Sequence, residues 1–406
     1  MGSAPSPAVQ GAYHTRGQPA AVDAVAAMLA AGMPHALLLA GPPGVGKDTL
    51  ADDIAAGLLC RAPDPENRPC RECRACRALE HGNHPDLHRL APTGAGFVIP
   101  IGGREERGIR DLTRDLALLP FEGGARVAIV SGADRMTEDA QAAFLKTLEE
   151  PPSGTVLILT ASDEERLLDT IRSRCVRIRL GPVARRDVEA ILVDAQVAEP
   201  PTAARLARLS AGRPGDAVAL ARSPEALTIR GEIARTLLDM AGATRSDRLR
   251  TARDLLGRAA DVLAALRAAS GGPERARPAR GRRGAPADEA AQPEAMPDAG
   301  AGSAGGAGAA AAAAATRVPA AERRAAALAL VAVWRDVARD LALVGLCEVA
   351  DVRQLDLLED LEPAARRLPE GFAAAQLRRL DVAGERLEGN VSPELVIDAL
   401  ALGWSG

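Results

Sequence analysis

Apolar positions along the chain alternate between two periods. "HALLLAGPPGVGKDTLADDIAAGLL" (35–59) opens with a short continuous apolar run, passes through a glycine-rich turn and continues with apolar residues three and four apart. Such a run predicts a buried strand, a tight turn and an amphipathic helix. "RVAIVSG" (126–132) repeats the buried-strand signature after an amphipathic helix around "IRDLTRDLALLP" (109–120). "EDAQAAFLKTLEEPP" (138–152) predicts a helix stopped by Pro151 and Pro152, and "GTVLILTAS" (154–162) a further strand. Strands alternating with helices imply a mostly parallel α/β sheet. After "VRIRLGPV" (176–183) the strand signature ends, and residues 184–222 read as short helices. Beyond them only helix is predicted, most clearly in "AALALVAVWRDVARDLALVG" (326–345), which carries an apolar face of period 3.6. Residues 271–316, rich in Pro, Gly, Ala and charge and without bulky apolar side chains, cannot bury enough surface to order themselves and predict a disordered insertion. Ordered helix is expected to resume near Ala320.

At 406 residues the chain has room for two or three domains. Hydrophobic residues make up 47% but aromatic ones only 2%, so Ala, Leu and Val must carry the burial. The net charge of −4 means that any nucleic-acid contact needs a local patch. No apolar run reaches membrane-spanning length and no charged-then-apolar leader is evident, so a cytoplasmic protein with no membrane contact is expected. The start "MGSAPS" matches an N-myristoylation pattern, but so permissive a pattern carries little weight. Four of the six cysteines crowd into residues 60–76, which argues for metal in a reducing compartment rather than a disulfide scaffold.

The turn "GPPGVGKDTL" (41–50) sits between strand and helix, as a phosphate-binding loop requires. Gly41, Gly44, Gly46 and Lys47 occupy the pattern, and their backbone N–H groups and the lysine charge suit phosphate. Position 48, where a Ser or Thr hydroxyl should hold Mg²⁺, is Asp48. Thr49 is next, but one step along a helix turns its side chain about 100° away. A second lesion lies at the end of "VAIV", where an ATPase carries acidic residues for Mg²⁺ and water: here stand Ser131 and Gly132. Asp134 lies past the strand end and reads as a cap or turn residue. Both lesions count against ATP binding, and more strongly against turnover, leaving the loop a degenerate site.

Cys60, Cys70, Cys73 and Cys76, with two C-x₂-C gaps, have the spacing of a tetrahedral structural zinc site, against the plainer alternative of four free thiols. Four protein ligands leave no open position for catalysis. Cys175 and Cys347 stand alone and read as small buried hydrophobes. In "TIRSRC" (170–175), Arg172 and Arg174 read from the residues alone as surface arginines.

Taken together, "GQPAAVDAVAAML", "PHALLLAGPPGVGK", the four-cysteine loop, "HPDLH" (84–88), "FLKTLEEPP" (144–152) and "SRC" (173–175) resemble bacterial DNA polymerase III clamp-loader subunits of the AAA+ class, over most of residues 15–222. That resemblance implies an α/β AAA+ P-loop module with a parallel sheet (1–182, zinc loop 60–76), a small helical lid (183–222) and an all-α collar (223–406) interrupted by 271–316. Two kinds of subunit share these features, the ATP-hydrolysing gamma/tau kind and the non-hydrolysing delta prime kind, and the lesions favour the second. A third position agrees: the family's "GS-x-R" sensor arginine aligns with Gly215 in "AGRPGDAVAL" (211–220), with Arg213 close by. The family's "SRC" implies that Arg174 acts as an arginine finger in trans, a fixed planar cation at a neighbouring subunit's γ-phosphate. "LEGNVSPELVIDALAL" (387–402) resembles the closing collar helices. The implied partners are gamma/tau and delta subunits in a hetero-oligomer, and through them the sliding clamp and primer-template DNA. Two rivals stand beside this expectation: an active gamma/tau-type ATPase, and a zinc-dependent nucleic-acid-binding module using "CRECRACR" (70–77).

Overall fold

The computed structural model describes residues 12–64, 67–93, 98–103, 106–122, 124–270, 319–369, 371–389 and 391–404. The insertion predicted at 271–316 and the myristoylation-like start lie outside the described residues.

Five strands, β1 (Ala36–Ala40), β2 (Leu87–Leu90), β3 (Arg126–Val130), β4 (Thr155–Ala161) and β5 (Val176–Arg179), form one sheet in the order β2-β3-β4-β1-β5. Every neighbouring pair is parallel. β1, β3 and β4 are buried along their whole length, which is why they read as unbroken apolar runs. Alternate residues feed two cores. Leu37 and Leu39 of β1 pack with Leu50 and Ile54 of helix α2 (Lys47–Leu59) and Val25 of α1 (Pro19–Ala31). Leu38 faces the other way, among Phe144 and Leu148 of α5 (Glu138–Glu149) and Leu112 of α4 (Ile109–Leu116). The Thr137 hydroxyl accepts from Ala140 N at 3.2 Å and starts α5. Helix α3 (Arg74–Glu80) lies in the cysteine loop, and the four-residue α6 (Asp169–Arg172) leads into β5.

β2 was not expected as a strand. "LHRL" is too short and mixed for an apolar signature, and only Leu90 of its four residues is buried, because it forms the sheet edge beside β3.

The rest of the described chain is helical: α7 (Arg185–Asp194), α8 (Pro200–Leu209), α9 (Pro214–Arg222), α10 (Pro224–Met240), α11 (Arg245–Ser270), α12 (Ala320–Gly345), α13 (Leu358–Arg367), α14 (Phe372–Glu388) and α15 (Pro393–Gly403). A single apolar cluster runs through them from Val183 to Trp404. At its centre the Trp404 ring meets Trp334 and Phe372 edge to face, both at 5.3 Å, and its Nε1 donates to Leu237 O at 2.8 Å. Cys175 is buried as expected, but Cys347 is exposed: it sits in the turn closing α12 with a φ of 63°, outside the packed face. Among the described residues no helix is long and apolar enough to cross a membrane.

Candidate nucleotide loop, cysteine cluster and surface arginine

Lys47 and Asp48 open α2 at the C-terminal end of β1, the place where a phosphate loop presents its helix. The loop needs its glycines: Gly44 and Gly46 have φ of 77° and 101°, and a Cβ on Gly41 would lie 2.1 Å from Leu180 O. Lys47 is buried, and its ammonium donates to the carbonyls of Gly41 and Pro42, each at 2.8 Å, and to Ser162 Oγ at 3.3 Å. The lysine is thus engaged by its own loop. Burial lowers its pKa, while the charges of Asp48 and Asp134 work in the opposite direction.

Asp48 Oδ1 accepts from Ser131 Oγ at 2.8 Å and from Thr160 Oγ1 at 3.2 Å, so its carboxylate sits across the ends of β3 and β4. Thr160 in turn accepts from Gly132 N at 3.0 Å. Asp134 accepts from the backbone N–H groups of Ser162 and Asp163, both at 3.3 Å, which is the turn-capping role its position suggested. Thr49 is exposed on the helix.

The loop is also covered by α9. Gly215 N donates to Gly44 O at 2.9 Å, and a Cβ on Gly215 would lie 3.2 Å from both Cα and O of Gly44. The position aligned with a sensor arginine therefore touches the loop, and a side chain there would be tight, needing the loop to give by a few tenths of an ångström. Arg213 is engaged elsewhere, by Asp216 at 3.1 Å and Ser210 O at 3.0 Å.

Cys60, Cys70, Cys73 and Cys76 converge at the end of α2, their sulfurs within 4.8 Å of one another. Backbone N–H groups of Ala62 and Cys70 point at Cys60 Sγ, that of Cys73 at Cys70 Sγ, and that of Cys76 at Cys73 Sγ, all at 3.4 Å. Donors aimed at sulfur stabilise thiolates, the form in which cysteine binds a metal. Burial pushes Cys60 and Cys76 up, whereas at Cys73 the surrounding N–H and thiol hydrogen bonds overcome burial and bring the pKa to about 6. Four soft ligands in a compact cluster fit zinc. The loop is fastened to α2 by Asp53, a fully buried carboxylate that sequence reading passed over. It pairs with Arg71 and accepts from His14 N at 3.0 Å, Thr15 N at 2.8 Å and Thr15 Oγ1 at 2.6 Å. An aspartate among the buried positions of an amphipathic helix was the available signal.

Arg174 stands between α6 and β5, partly exposed, with its guanidinium on Thr170 O at 2.8 Å and on the Glu149 carboxylate. Arg172 is held by Asp169 and Glu165. β5 runs parallel to β1 with Val176 opposite Leu37, so Arg174 lies at the end of the sheet opposite the phosphate loop. The structure does not bring the arginine, the loop and the cysteines together; they form three separate places.

A parallel sheet of this order, a P-loop at the end of β1 and a helical region beyond it define an α/β AAA+ module followed by an all-α part. Residues 17–184 match the family model described as DNA polymerase III, delta subunit. The chain is 36% identical over 186 residues to DNA polymerase III subunit delta' of Escherichia coli, covering 46% of this chain and 54% of that protein. It is 33% identical to the delta' subunit of Bacillus subtilis (49% and 57% covered) and 32% identical to the tau subunit of E. coli (46% and 28%). Among solved structures, the RuvB Holliday junction branch migration motor of Thermotoga maritima aligns over 52% of this chain and 61% of its own, at 19% identity and a TM-score of 0.34. The chain spans about half the length of the delta' subunits it matches. Over its N-terminal module the chain is therefore similar to DNA polymerase III delta' and gamma/tau subunits.

Proposed function

We propose that the chain is a non-hydrolysing, delta prime-type clamp-loader subunit that helps load the sliding clamp onto primed DNA, working with gamma/tau and delta subunits. In this reading residues 1–182 are the AAA+ module, 183–222 the lid and 223–406 the collar. The four cysteines hold one structural zinc. Arg174 serves a neighbouring subunit's ATP site.

The observation that carries the reading is the state of the loop. Lys47 is bound to loop carbonyls, Asp48 is bound to Ser131, and Gly215 packs on Gly44 where a sensor arginine would reach the phosphates. Arg174 lies at the other end of the sheet, so a chain can lose its own nucleotide chemistry and still offer that arginine to a neighbour. There it would present a planar donor fork to the charge developing on the transferred phosphoryl group. One observation favours an active gamma/tau-type ATPase instead: a hydroxyl and a carboxylate still meet, 2.8 Å apart, at the place where Mg²⁺ would bind.

The test is the ATPase rate of the assembled loader. Lys47→Ala is expected to leave it nearly unchanged. Arg174→Ala is expected to keep assembly but reduce hydrolysis at the affected site by roughly 10³-fold or more, and Arg174→Lys to rescue little. A rate that collapses with Lys47→Ala and ignores Arg174→Ala assigns the chain to the ATP-hydrolysing kind.

A further inference from the structure

Between α8, α10 and the turn after α12 lies a cavity of about 590 Å³, remote from the phosphate loop and the cysteines. Its volume is that of a small-molecule site. We propose that it binds a nucleoside polyphosphate, with the phosphates on its arginines and the base on its apolar wall. The proposal stands apart from the clamp-loader reading.

The wall is rich in arginine, and all but one of these arginines have a carboxylate partner. Six arginines line it, among them Arg205, Arg208, Arg230 and Arg353, against three acidic side chains. Arg205 is matched by Asp356 at 2.6 Å. Arg230 and Arg353 share one carboxylate, Asp336. Arg208 has no carboxylate within ion-pair distance among the described residues. It donates only to the carbonyls of Ala350 and Val352, at 2.7 and 3.1 Å, which orient its fork without neutralising it. Guanidinium groups fixed in this way are the side chains best shaped for phosphate oxygens.

A second observation is independent of charge. Gln354 forms part of the wall, is only 7% exposed, and its Nε2 has no hydrogen-bond partner. A buried amide donor left unpaired is unfavourable, and an anionic ligand reaching it would supply the missing acceptor. The turn carrying it is held firmly: the fully buried Asp340 accepts from Arg353 N at 3.0 Å and Gln354 N at 2.9 Å. Pro201, Leu227 and Leu355 also line the cavity, and Leu355 leaves 46% of its surface exposed. A ligand that carries both phosphate and a flat, weakly polar ring matches both kinds of lining residue.

The full-length protein, titrated calorimetrically with ADP and with inorganic tripolyphosphate, tests this, together with hydrogen exchange by mass spectrometry. ADP is expected to bind more tightly than tripolyphosphate and to slow exchange in residues 205–209 and 350–357. Arg208→Ala and Gln354→Met are each expected to weaken ADP binding about tenfold or more, as for a lost hydrogen bond to a charged group. Gln354→Met gives up no hydrogen bond of the amide nitrogen, so it remains informative if Arg208→Ala unfolds. The proposal is overturned by failure of ADP to bind, by protection confined to residues 41–48, or by affinity unchanged in Gln354→Met. Protection of 205–209 by an oligoglutamate peptide but not by ADP also overturns it, in favour of an acidic protein segment.

Discussion

Asp48 and Ser131, 83 residues apart, are joined by a 2.8 Å hydrogen bond from the serine hydroxyl to the aspartate carboxylate. ATP-hydrolysing P-loop proteins hold Mg²⁺ with a hydroxyl on the helix and a carboxylate at the strand end. Here the two groups have changed places, and each satisfies the other. The exchange puts the negative charge on the helix that would receive the phosphates, where it opposes both the lysine and the helix N-terminus.

This exchange can be reversed. Asp48→Thr combined with Ser131→Asp restores hydroxyl and carboxylate to their usual sides. The double variant is expected to bind a fluorescent ATP analogue with Mg²⁺ about tenfold more tightly than the parent chain, in line with one regained charge-assisted contact. Equal, weak binding by both would place the block instead at the contact between Gly44 and Gly215.

For the cysteine cluster, elemental analysis of protein purified without chelator is expected to find about one zinc per chain. Cys73→Ser should lower that content, lower the melting temperature and open "CRECRACR" (70–77) to trypsin. Absence of zinc from the parent protein would refute the assignment.

Asp340 gives a prediction in pH. Burial raises its pKa above the ordinary 3.8, against the backbone N–H groups of Arg353 and Gln354. The folded state therefore holds this proton more tightly than the unfolded chain, so its contribution to stability declines as pH rises from about 4 through the raised value. Asp340→Asn should remove that part of the pH dependence in urea unfolding measured between pH 4 and 7. An unchanged slope would show that the carboxylate ionises as freely in the fold as in the unfolded chain.

Much of the module was legible because its strands are buried on both faces. "ALLLA", "RVAIV" and "TVLILTA" carry their position in their composition, whereas "LHRL" at the edge does not. The glycine turn and the cysteine spacing are local patterns and could be read directly. Partnerships between distant segments could not. Nothing near Gly215 announces Gly44, nothing near Asp53 announces Arg71, and Ser162 and Thr160 enter the nucleotide loop only through the folding of β4. Cys347 was misplaced because a lone cysteine favours burial on average, and that average ignores the turn in which it falls.

The unbroken apolar cluster from Val183 to Trp404 has a mechanical consequence. In a P-loop machine the segment after the sheet works as a lever only if it can swing against the helices beyond it. Here α9 and α10 are separated by Ser223 alone, share that cluster, and are tied through Gly215 to the nucleotide loop. Swinging this arm would require parting a shared interior rather than turning a hinge. The sheet packs in two other cores, so how the far helices sit against the strands depends on smaller contacts between them, the Gly215–Gly44 hydrogen bond among them.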